Sequence, residues 1–592
     1  MSSFPKNNDV PNTLSSKAIV AAAFLSTFSL FAEDSRIISV NPDKDIKDLS
    51  CSYLGANAQQ FRSHYSIRKM LDNPDIFSRF LLSIGSPILR MDGRSVYGWF
   101  SPEEHRKLKE AEIKMKRLRQ AGIPDTGRLS NFQPEDYDML VKKYKLKFGP
   151  VRVTQNAPEI AWFPPDEFHV FCRENGIRII GAFGDRQYYD PETGKVIYFR
   201  NDPALLDGAV KANIRKLKWA LDHGYKDLYV AWEIGNESFS SWDPEVYAQY
   251  AKKLAVEALK IQPDIKLSVP AIVRDTDDPF IKKFIQKLKA RGSRTDWFTW
   301  HRKMLPALGD EIKKITHVTA HVYGAKSKYN ANAKGLGLAT SLEGIPNTDH
   351  LRYLVTEWRY TGVGGTYHRT YAMGALWNAK FAMLLLSNPK IDYSTVHEFL
   401  CTSGLGYWTP GKGNGSPGDV GDEWVFQYQP GMKKSKQAQL RSSDGKPAFD
   451  IGPFGPVNRM LNDLIKDCPL LVQHKSDYGP MSSAKFADGL DIEKEQKKNG
   501  DFDWMIAVSR NRSVLGGVMV NSLNKPLTVL LNTGNNQYQL KSIQQMTCPA
   551  RKIFAAEVPG KEKSWKVESV SPECDKIVLP PNSITSFRAR KK

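Results

Sequence analysis

The feature that most constrains this chain is a regular alternation of short apolar runs with longer segments of helical periodicity. The alternation extends from residue 51 to residue 397 and contains eight apolar runs. Strands that alternate with helices favour a parallel sheet, and eight such units predict a (β/α)8 TIM barrel with its active site at the C-terminal strand ends. The predicted strands are Cys51–Ala56, Pro87–Met91, Ile177–Phe183, Leu228–Glu233, Lys266–Pro270, His317–His321, Tyr353–Glu357 and Asp392–His397.

The 592 residues exceed what one barrel requires, and the pattern predicts an α/β fold with a second, all-β domain. We assign residues 51–410 to the barrel and 411–450, which are rich in Gly, Pro, Lys and Ser, to a linker. Residues 451–592 contain short strands joined by turns and predict a β-sandwich, in which residues 36–50 are a candidate extra strand. The charged insertion at 101–150 follows the second strand and is either a lid on the active-site side or a solvated helical excursion.

Residues 1–32 are typical of a secretory signal peptide. Lys6 and Lys17 precede a mostly apolar run, Ile19–Ala32, which is short for a membrane span. The expectation is a secreted or periplasmic protein with no membrane span in the mature chain. A disordered tail and a lone membrane anchor are the alternatives.

The formal net charge is +20, and it is +19 without residues 1–32. A strongly basic protein attracts anionic partners, among them acidic polysaccharides, nucleic acids and membrane surfaces. The basic residues are spread along the chain without a polybasic block or a nucleic-acid motif, so we expect an acidic carbohydrate and no nucleic acid as partner. A charge that serves only solubility is the alternative.

Carboxylates stand at the ends of two predicted strands. The run Leu228–Glu237 ends on Asn236 and Glu237, and Glu357 closes the seventh strand. Hydrolysis of a glycosidic bond needs two such groups, one to protonate the leaving oxygen and one to attack the anomeric carbon or activate water. We therefore predict that Glu237 is the acid/base and Glu357 the nucleophile, and that Asn236 binds a sugar hydroxyl.

Five further residues are candidate substrate-binding groups. Positive charge and hydrogen-bond donors should keep Glu357 ionised, and Arg90, His321 and Tyr323 stand at strand ends where they can supply them. Trp358 and Trp408 follow the seventh and eighth strands and could stack on sugar rings, although core packing is the competing interpretation.

These motifs resemble those of clan A retaining glycoside hydrolases. Trp232–Glu237 and Val355–Trp358 are similar to the fourth- and seventh-strand signatures of the clan. Ile88–Gly93 resembles a second-strand motif of the heparanase and β-glucuronidase family. His321-Val-Tyr323 is similar to a motif of that family and of the α-L-arabinofuranosidase and β-xylosidase families. Asp92 and Ser238 depart from the pattern, since a Gly and a Pro are usual there.

The resemblance implies a retaining glycoside hydrolase that needs no metal or organic cofactor. Its substrate is expected to be an anionic glycan, uronic or sulfated, because of the basic charge. An α-L-arabinofuranosidase or β-xylosidase that acts on neutral plant glycans is one alternative. A non-catalytic carbohydrate-binding protein is another, and both carboxylates being present disfavours it.

Overall fold

The structure is a computed structural model. It describes residues 35–57, 85, 88–90, 110–111, 113–115, 117–123, 134–151, 165–193, 195–272, 279–290, 296–324, 342–360, 372–397, 406–409, 448–476, 502–535, 537–549, 563–572 and 576–592. The predicted signal peptide and most of the predicted linker, 411–447, lie outside these residues. No helix among the described residues combines the length and the apolar character needed to span a bilayer.

Within the described residues, eight parallel strands close into a barrel, which confirms the predicted fold class. Neighbouring strands in the barrel are also neighbours in the chain, and the eighth strand pairs with the first. The strands are buried on both faces, as expected for parallel strands covered by helices. The barrel strands, numbered in chain order, are β2 (Leu54–Asn57), β3 (Ile88–Arg90), β4 (Arg178–Phe183), β7 (Tyr229–Ile234), β8 (Leu267–Pro270), β9 (His317–Gly324), β10 (Arg352–Tyr360) and β11 (Ile391–Val396).

Helices surround the barrel, and local sequence determines where they begin. Asp243 caps one of them: its carboxylate accepts hydrogen bonds from the backbone N–H groups of Glu245 and Val246, and Pro244 occupies the first helical position. The helices in the described part are α1 (Pro134–Lys143), α2 (Pro165–Glu174), α3 (Leu206–Asp222), α4 (Pro244–Ile261), α5 (Pro279–Ala290), α6 (Trp300–Ala307), α7 (Ala372–Ser387) and α8 (Phe454–Asp467).

The described part of the charged insertion packs against the barrel. Ala111, Met115 and Leu118 lie on helical residues within 110–120, and all three are buried in the same apolar cluster as the barrel strands. Tyr137 of α1 joins them. These residues therefore belong to the helical layer of the barrel and do not form a solvated excursion.

The second unit is a mostly antiparallel sheet of nine strands in the described part. Its order is β19-β18-β21-β16-β15-β14-β1-β17-β20, in which β1 and β17 form the parallel pair. The β17–β20 end curls over β16 and β21, so Leu527, Ile577 and Phe587 share one apolar core. The strands are β1 (Ser35–Asp48), β14 (Leu470–Ser476), β15 (Phe502–Val508), β16 (Val514–Asn521), β17 (Leu527–Asn532), β18 (Tyr538–Thr547), β19 (Lys566–Val570), β20 (Lys576–Leu579) and β21 (Ser583–Lys591).

Two antiparallel hairpins complete the strands. One pairs β5 (Gln187–Asp190) with β6 (Lys195–Tyr198), directly after the third barrel strand. The other pairs β12 (Gly406–Thr409) with β13 (Ala448–Ile451), across the predicted linker. The linker therefore begins and ends at one small sheet.

Helix α8, which lies just after the boundary predicted at residue 451, contacts both units. Its Asn462 side chain both donates to and accepts from the backbone of Leu54 on the first barrel strand, at 3.0 Å in each case. Its apolar face lies in a cluster that contains barrel residues together with Val518 and Ile584 of the nine-stranded sheet. Helix α8 therefore packs between the barrel and this sheet.

Buried charged groups connect the two units. Lys47 of β1 donates hydrogen bonds of 2.8–2.9 Å to the carbonyls of Leu386, Asn388 and Ile391, at and after the end of α7. Lys380 of α7 forms a 2.9 Å ion pair with Asp503 of β15, with side chains only 1% and 6% exposed. Such partners offset the cost of burying the charges.

Candidate active site

Four barrel strands bring polar side chains to one end of the barrel. Arg90 ends β3, and a tight turn after β7 carries Asn236 and Glu237. His321 of β9 stands opposite Glu357 of β10 in the strand register. Because parallel strands end at the same rim, residues far apart in sequence meet here.

Arg90 is the centre of this cluster. Its fully buried guanidinium donates to Glu233 at 2.6 Å, to Glu357 at 2.8 Å and to the Asn236 side-chain oxygen at 2.7 Å. The second oxygen of Glu233 accepts a 2.8 Å hydrogen bond from the Thr356 hydroxyl. The guanidinium fork therefore fixes three side chains, and two buried carboxylates share its single positive charge.

His321 lies between the two predicted catalytic carboxylates. Its Nδ1 is 3.0 Å from Oε1 of Glu237 and 3.5 Å from Oε2 of Glu357. Burial by itself lowers the pKa of His321, but the charge of Glu357 and the hydrogen bond and charge of Glu237 outweigh it, so the pKa is raised. His397 Nε2 lies 3.8 Å from the same oxygen of Glu357. Positive charge or hydrogen-bond donors thus surround Glu357.

The two carboxylates differ in environment. The Glu357 side chain is 9% exposed, whereas that of Glu237 is 35% exposed. A carboxylate held by a guanidinium is stabilised in its ionised form and suits a nucleophile. A carboxyl group at the solvent-accessible edge can exchange protons with water and suits an acid/base.

The same atoms could bind a cation. One donor atom each from Glu237, His321 and Glu357 lies within 4.8 Å of the other two. The Arg90 guanidinium, 2.8 Å from Glu357, already supplies positive charge at this place. A metal ion would have to compete with it.

The turn that carries Glu237 is tightly constrained. Gly235 has φ +80°, and Glu237 has φ +48° and ψ +35°, so both adopt the left-handed conformation. A Cβ on Gly235 would lie 2.6 Å from the Ser238 hydroxyl and 2.8 Å from Asp185, so only glycine fits. Ser238 replaces the Pro usual at this place, and its hydroxyl donates to buried Asp185 at 2.6 Å.

Not all predicted site residues join the cluster. Trp358 is fully buried and packs against Phe381 of α7 and Phe454 of α8, with ring centroids 5.6 and 5.9 Å away. It cannot stack on a sugar here, which corrects the prediction. The physical reason is the pleat: Glu357 faces the barrel interior, so its neighbour faces the helices.

Two other candidates are only partly described. Tyr323 lies near the end of β9, paired with Arg359, and Trp408 lies on β12, paired with Phe449. The structure describes the strand positions of these two residues and not their side chains. Their predicted substrate contacts remain predictions.

Sequence reasoning gave Glu233 no site role, although it expected this residue to point into the barrel or pair with a base, and it missed Asp185 and His397. Glu233 offered a signal, since a carboxylate inside an apolar strand requires a buried cation. Asp185 lies two residues beyond the third strand, in the Gly-Asp turn that precedes hairpin β5–β6. His397 follows the eighth strand directly. Both stand at the rim where a barrel site is built, and position alone could have marked them.

Comparisons with known proteins agree with this architecture. No family model and no curated protein sequence matches the chain. Among solved structures, an α-L-arabinofuranosidase from Thermotoga maritima in complex with arabinose matches with a TM-score of 0.51 and 14% identity, covering 94% of this chain and 100% of that one. A second arabinofuranosidase matches over the same shares with a TM-score of 0.52 and 14% identity. A thermostable α-L-arabinofuranosidase from Thermotoga petrophila RKU-1 gives 0.51 and 14%, covering 93% and 99%. Over nearly its whole length, therefore, this chain shares the fold of these arabinofuranosidases.

Proposed function

We propose that the protein is a retaining glycoside hydrolase that acts by double displacement. The observation that carries the proposal is that the two carboxylates face each other across His321, with an oxygen of Glu237 and an oxygen of Glu357 within 4.8 Å of each other, which supports the shorter of the two separations known for such pairs. Retaining enzymes place the two carboxyl groups ~5–5.5 Å apart, whereas inverting enzymes leave ~6.5–9.5 Å for a water molecule. The spacing fits direct attack on the sugar.

Each carboxylate has one role in each half of the reaction. In the first, Glu357 attacks the anomeric carbon while Glu237 gives its proton to the departing glycosidic oxygen, and a glycosyl ester forms on Glu357. In the second, Glu237 takes a proton from water, the water oxygen attacks the same carbon, and Glu357 leaves as a carboxylate. The enzyme returns to its starting protonation state.

The surrounding residues support these roles. Arg90 holds Glu357 ionised and directs one of its oxygens, at 2.8 Å. The side-chain oxygen of Asn236 accepts a hydrogen bond from Arg90, so the side-chain amide N–H group of Asn236 is directed toward donating to a sugar hydroxyl. When His321 carries a proton on Nδ1, it donates to Oε1 of Glu237 and leaves Oε2 to hold the transferable proton.

For the substrate, we propose an anionic glycan that contains uronic or sulfated sugars. The support is the net charge of +20, which raises the local concentration of a polyanion and the rate of encounter with it. An α-L-arabinofuranosidase that acts on neutral plant glycans is the second candidate, because solved arabinofuranosidases share the fold over nearly the whole chain.

The test is a substrate screen of the purified protein. It compares aryl glycosides, uronic and sulfated polysaccharides, and arabinoxylan, for wild type, E357Q and a matched control, E257Q. Glu257 lies on the exposed side of α4, paired with Lys260, so its substitution should leave turnover unchanged while E357Q abolishes it. Turnover by E357Q equal to wild type would refute the mechanism. Higher activity on arabinoxylan than on every anionic glycan would refute the substrate class.

We also propose that the protein is exported, on the basis of the signal-like residues 1–32. Expression of the full chain in a secreting host, followed by mass analysis of the exported protein, tests this. The expected product lacks the apolar run Ile19–Ala32. A product that keeps this run, or remains inside the cell, would contradict export.

A further inference from the structure

Asp185 is a buried carboxyl group that contacts the turn that carries Glu237. It is 1% exposed and accepts a 2.6 Å hydrogen bond from the Ser238 hydroxyl, and its side chain lies beside Gly235, where an added Cβ would be 2.8 Å from it. Its own backbone carbonyl accepts a 2.9 Å hydrogen bond from the Trp242 indole. Asp185 thus contacts Ser238, which follows Glu237, and Trp242 beyond it, and its side chain lies against Gly235 on the other side of Glu237.

Burial raises the pKa of Asp185, and the nearby charge of Arg200 together with the Ser238 hydrogen bond opposes this shift. Burying a carboxyl group costs free energy unless hydrogen-bond partners compensate for the water that it loses. The mechanism derived above gives Asp185 no direct contact with a reacting atom. Its contacts instead account for the conformation of the turn that contains Glu237.

The conformation of Glu237 needs such support. A non-glycine residue rarely adopts a left-handed backbone, and it keeps one only where the surroundings over-determine it. Glu237 does so at φ +48° and is flanked by Gly235 at φ +80°. In this turn the Glu237 side chain reaches His321, 3.0 Å away, while the Ser238 hydroxyl turns back toward Asp185, just after the third strand.

We propose that Asp185 is a positioning residue for the acid/base: by holding the Ser238 hydroxyl and packing against Gly235, it fixes the turn that aims Glu237 at the leaving oxygen. The inference rests on the proposed function and adds a residue to it. The Ser that replaces the usual Pro is the partner through which Asp185 acts. In a chain with Pro at this position, no hydroxyl would be available to this carboxylate.

Misplacing a general acid has a specific signature. The proton of Glu237 must reach the glycosidic oxygen as its bond to the anomeric carbon breaks, and a poor leaving group such as phenolate depends on that transfer. A 2,4-dinitrophenolate leaves without a proton. A variant with a displaced Glu237 should therefore fail on phenyl glycosides and keep activity on dinitrophenyl glycosides, at least in the step that forms the glycosyl ester.

The experiment measures kcat/KM, which reports that step, for wild type, D185A, D185N and S238A. The probes are phenyl and 2,4-dinitrophenyl α-L-arabinofuranosides and the corresponding β-D-glucuronides. The matched control is D503N, because Asp503 is also a buried carboxyl group with a raised pKa, but it pairs with Lys380 at the junction with the nine-stranded sheet. D503N therefore measures how much activity is lost when a buried carboxylate far from the site is removed.

We expect D185A to lose on the order of 10²-fold on the phenyl probe, the size of effect that a displacement of ~1 Å produces, and far less on the dinitrophenyl probe. D185N keeps one acceptor oxygen and should lie between D185A and wild type. S238A should show the same selectivity with a smaller loss. D503N should change both probes equally.

An equal loss on both probes in D185A, with wild type active, would overturn the positioning role and leave the proposed function standing. If D185A does not fold, the ratio between the two probes in S238A decides: a selective loss on the phenyl probe supports the role, and an equal loss overturns it. Wild type that hydrolyses neither sugar series, nor any substrate of the wider screen, would refute the proposed function itself.

Discussion

Replacing Arg90 tests whether one guanidinium holds the site together. Its side chain is fully buried and makes charge-assisted hydrogen bonds to Glu233, Glu357 and Asn236. R90A leaves two carboxylates in the barrel interior, with side chains 1% and 9% exposed, without this cation. Removing one partner of a buried ion pair costs about 3–5 kcal/mol, so we expect the free energy of unfolding to fall by that amount.

Two further variants separate charge from geometry. R90K keeps the charge but loses the planar fork, and the loss of at least one charge-assisted hydrogen bond should cost about 1.5–3 kcal/mol. Adding E233Q to R90A removes one stranded charge and should recover part of the loss, because the two residues are coupled.

The assay is urea unfolding followed by tryptophan fluorescence, with turnover measured on the same samples. R90A should also lose turnover, because Glu357 loses the donor that orients it. A destabilisation by R90A below about 1 kcal/mol, the range of an ordinary substitution, would refute the reasoning. So would a double variant R90A/E233Q that is less stable than R90A.

Three other predictions concern the wider site and the junction between the two units. Burial alone would lower the pKa of His321, but Glu357 and Glu237 outweigh it, so the pKa is raised above the ordinary 6.5 and the stability that protonation contributes is complete below pH 6.5 and is lost as pH rises through the folded-state pKa. The difference in unfolding free energy between wild type and H321Q should therefore shrink from pH 6 toward pH 8, and a difference that grows would contradict this. K380M leaves the buried Asp503 without its Lys380 partner and should lower the unfolding free energy by about 3–5 kcal/mol, whereas K380M/D503L should regain part of that stability. Equal stabilities of K380M and wild type in thermal unfolding would show that the ion pair does not stabilise the protein. W358L removes a fully buried indole that packs against Phe381 and Phe454, so we expect destabilisation with an unchanged KM. A markedly raised KM would restore the stacking role.

Periodicity in the sequence was sufficient to predict the barrel, because a strand buried on both faces needs a continuous apolar run. The run Leu228–Glu233 predicted β7, which the structure places at Tyr229–Ile234. Strand ends then locate the active-site rim, since all parallel strands end there. That step brought Glu237 and Glu357 into one hypothesis without any contact being known.

Contacts between distant residues could not be predicted in this way. The Arg90–Glu233 hydrogen bond joins residues 143 positions apart, and no local pattern encodes it. The role of Asp185 depends on a hydroxyl 53 positions away. The left-handed backbone of Glu237 is likewise imposed by its surroundings, because propensity disfavours it.

Errors arose where one pattern fits two environments. An indole beside a catalytic glutamate can face a ligand or the core, and only the strand pleat, set by which way Glu357 points, assigns Trp358 to the core. Helix α8 lies in the range assigned to the sandwich, and its hydrogen bonds with Leu54 also join it to the barrel, which no local pattern indicates. In both cases the decisive information is tertiary.

The stereochemistry of the first-formed product tests the central claim most directly. Proton NMR can follow the anomeric signal of the released sugar during the first minutes of turnover, before mutarotation, on the best substrate from the screen. Carboxylate oxygens of Glu237 and Glu357 within 4.8 Å predict a product with the same anomeric configuration as the substrate. First release of the opposite anomer would contradict nucleophilic attack by Glu357.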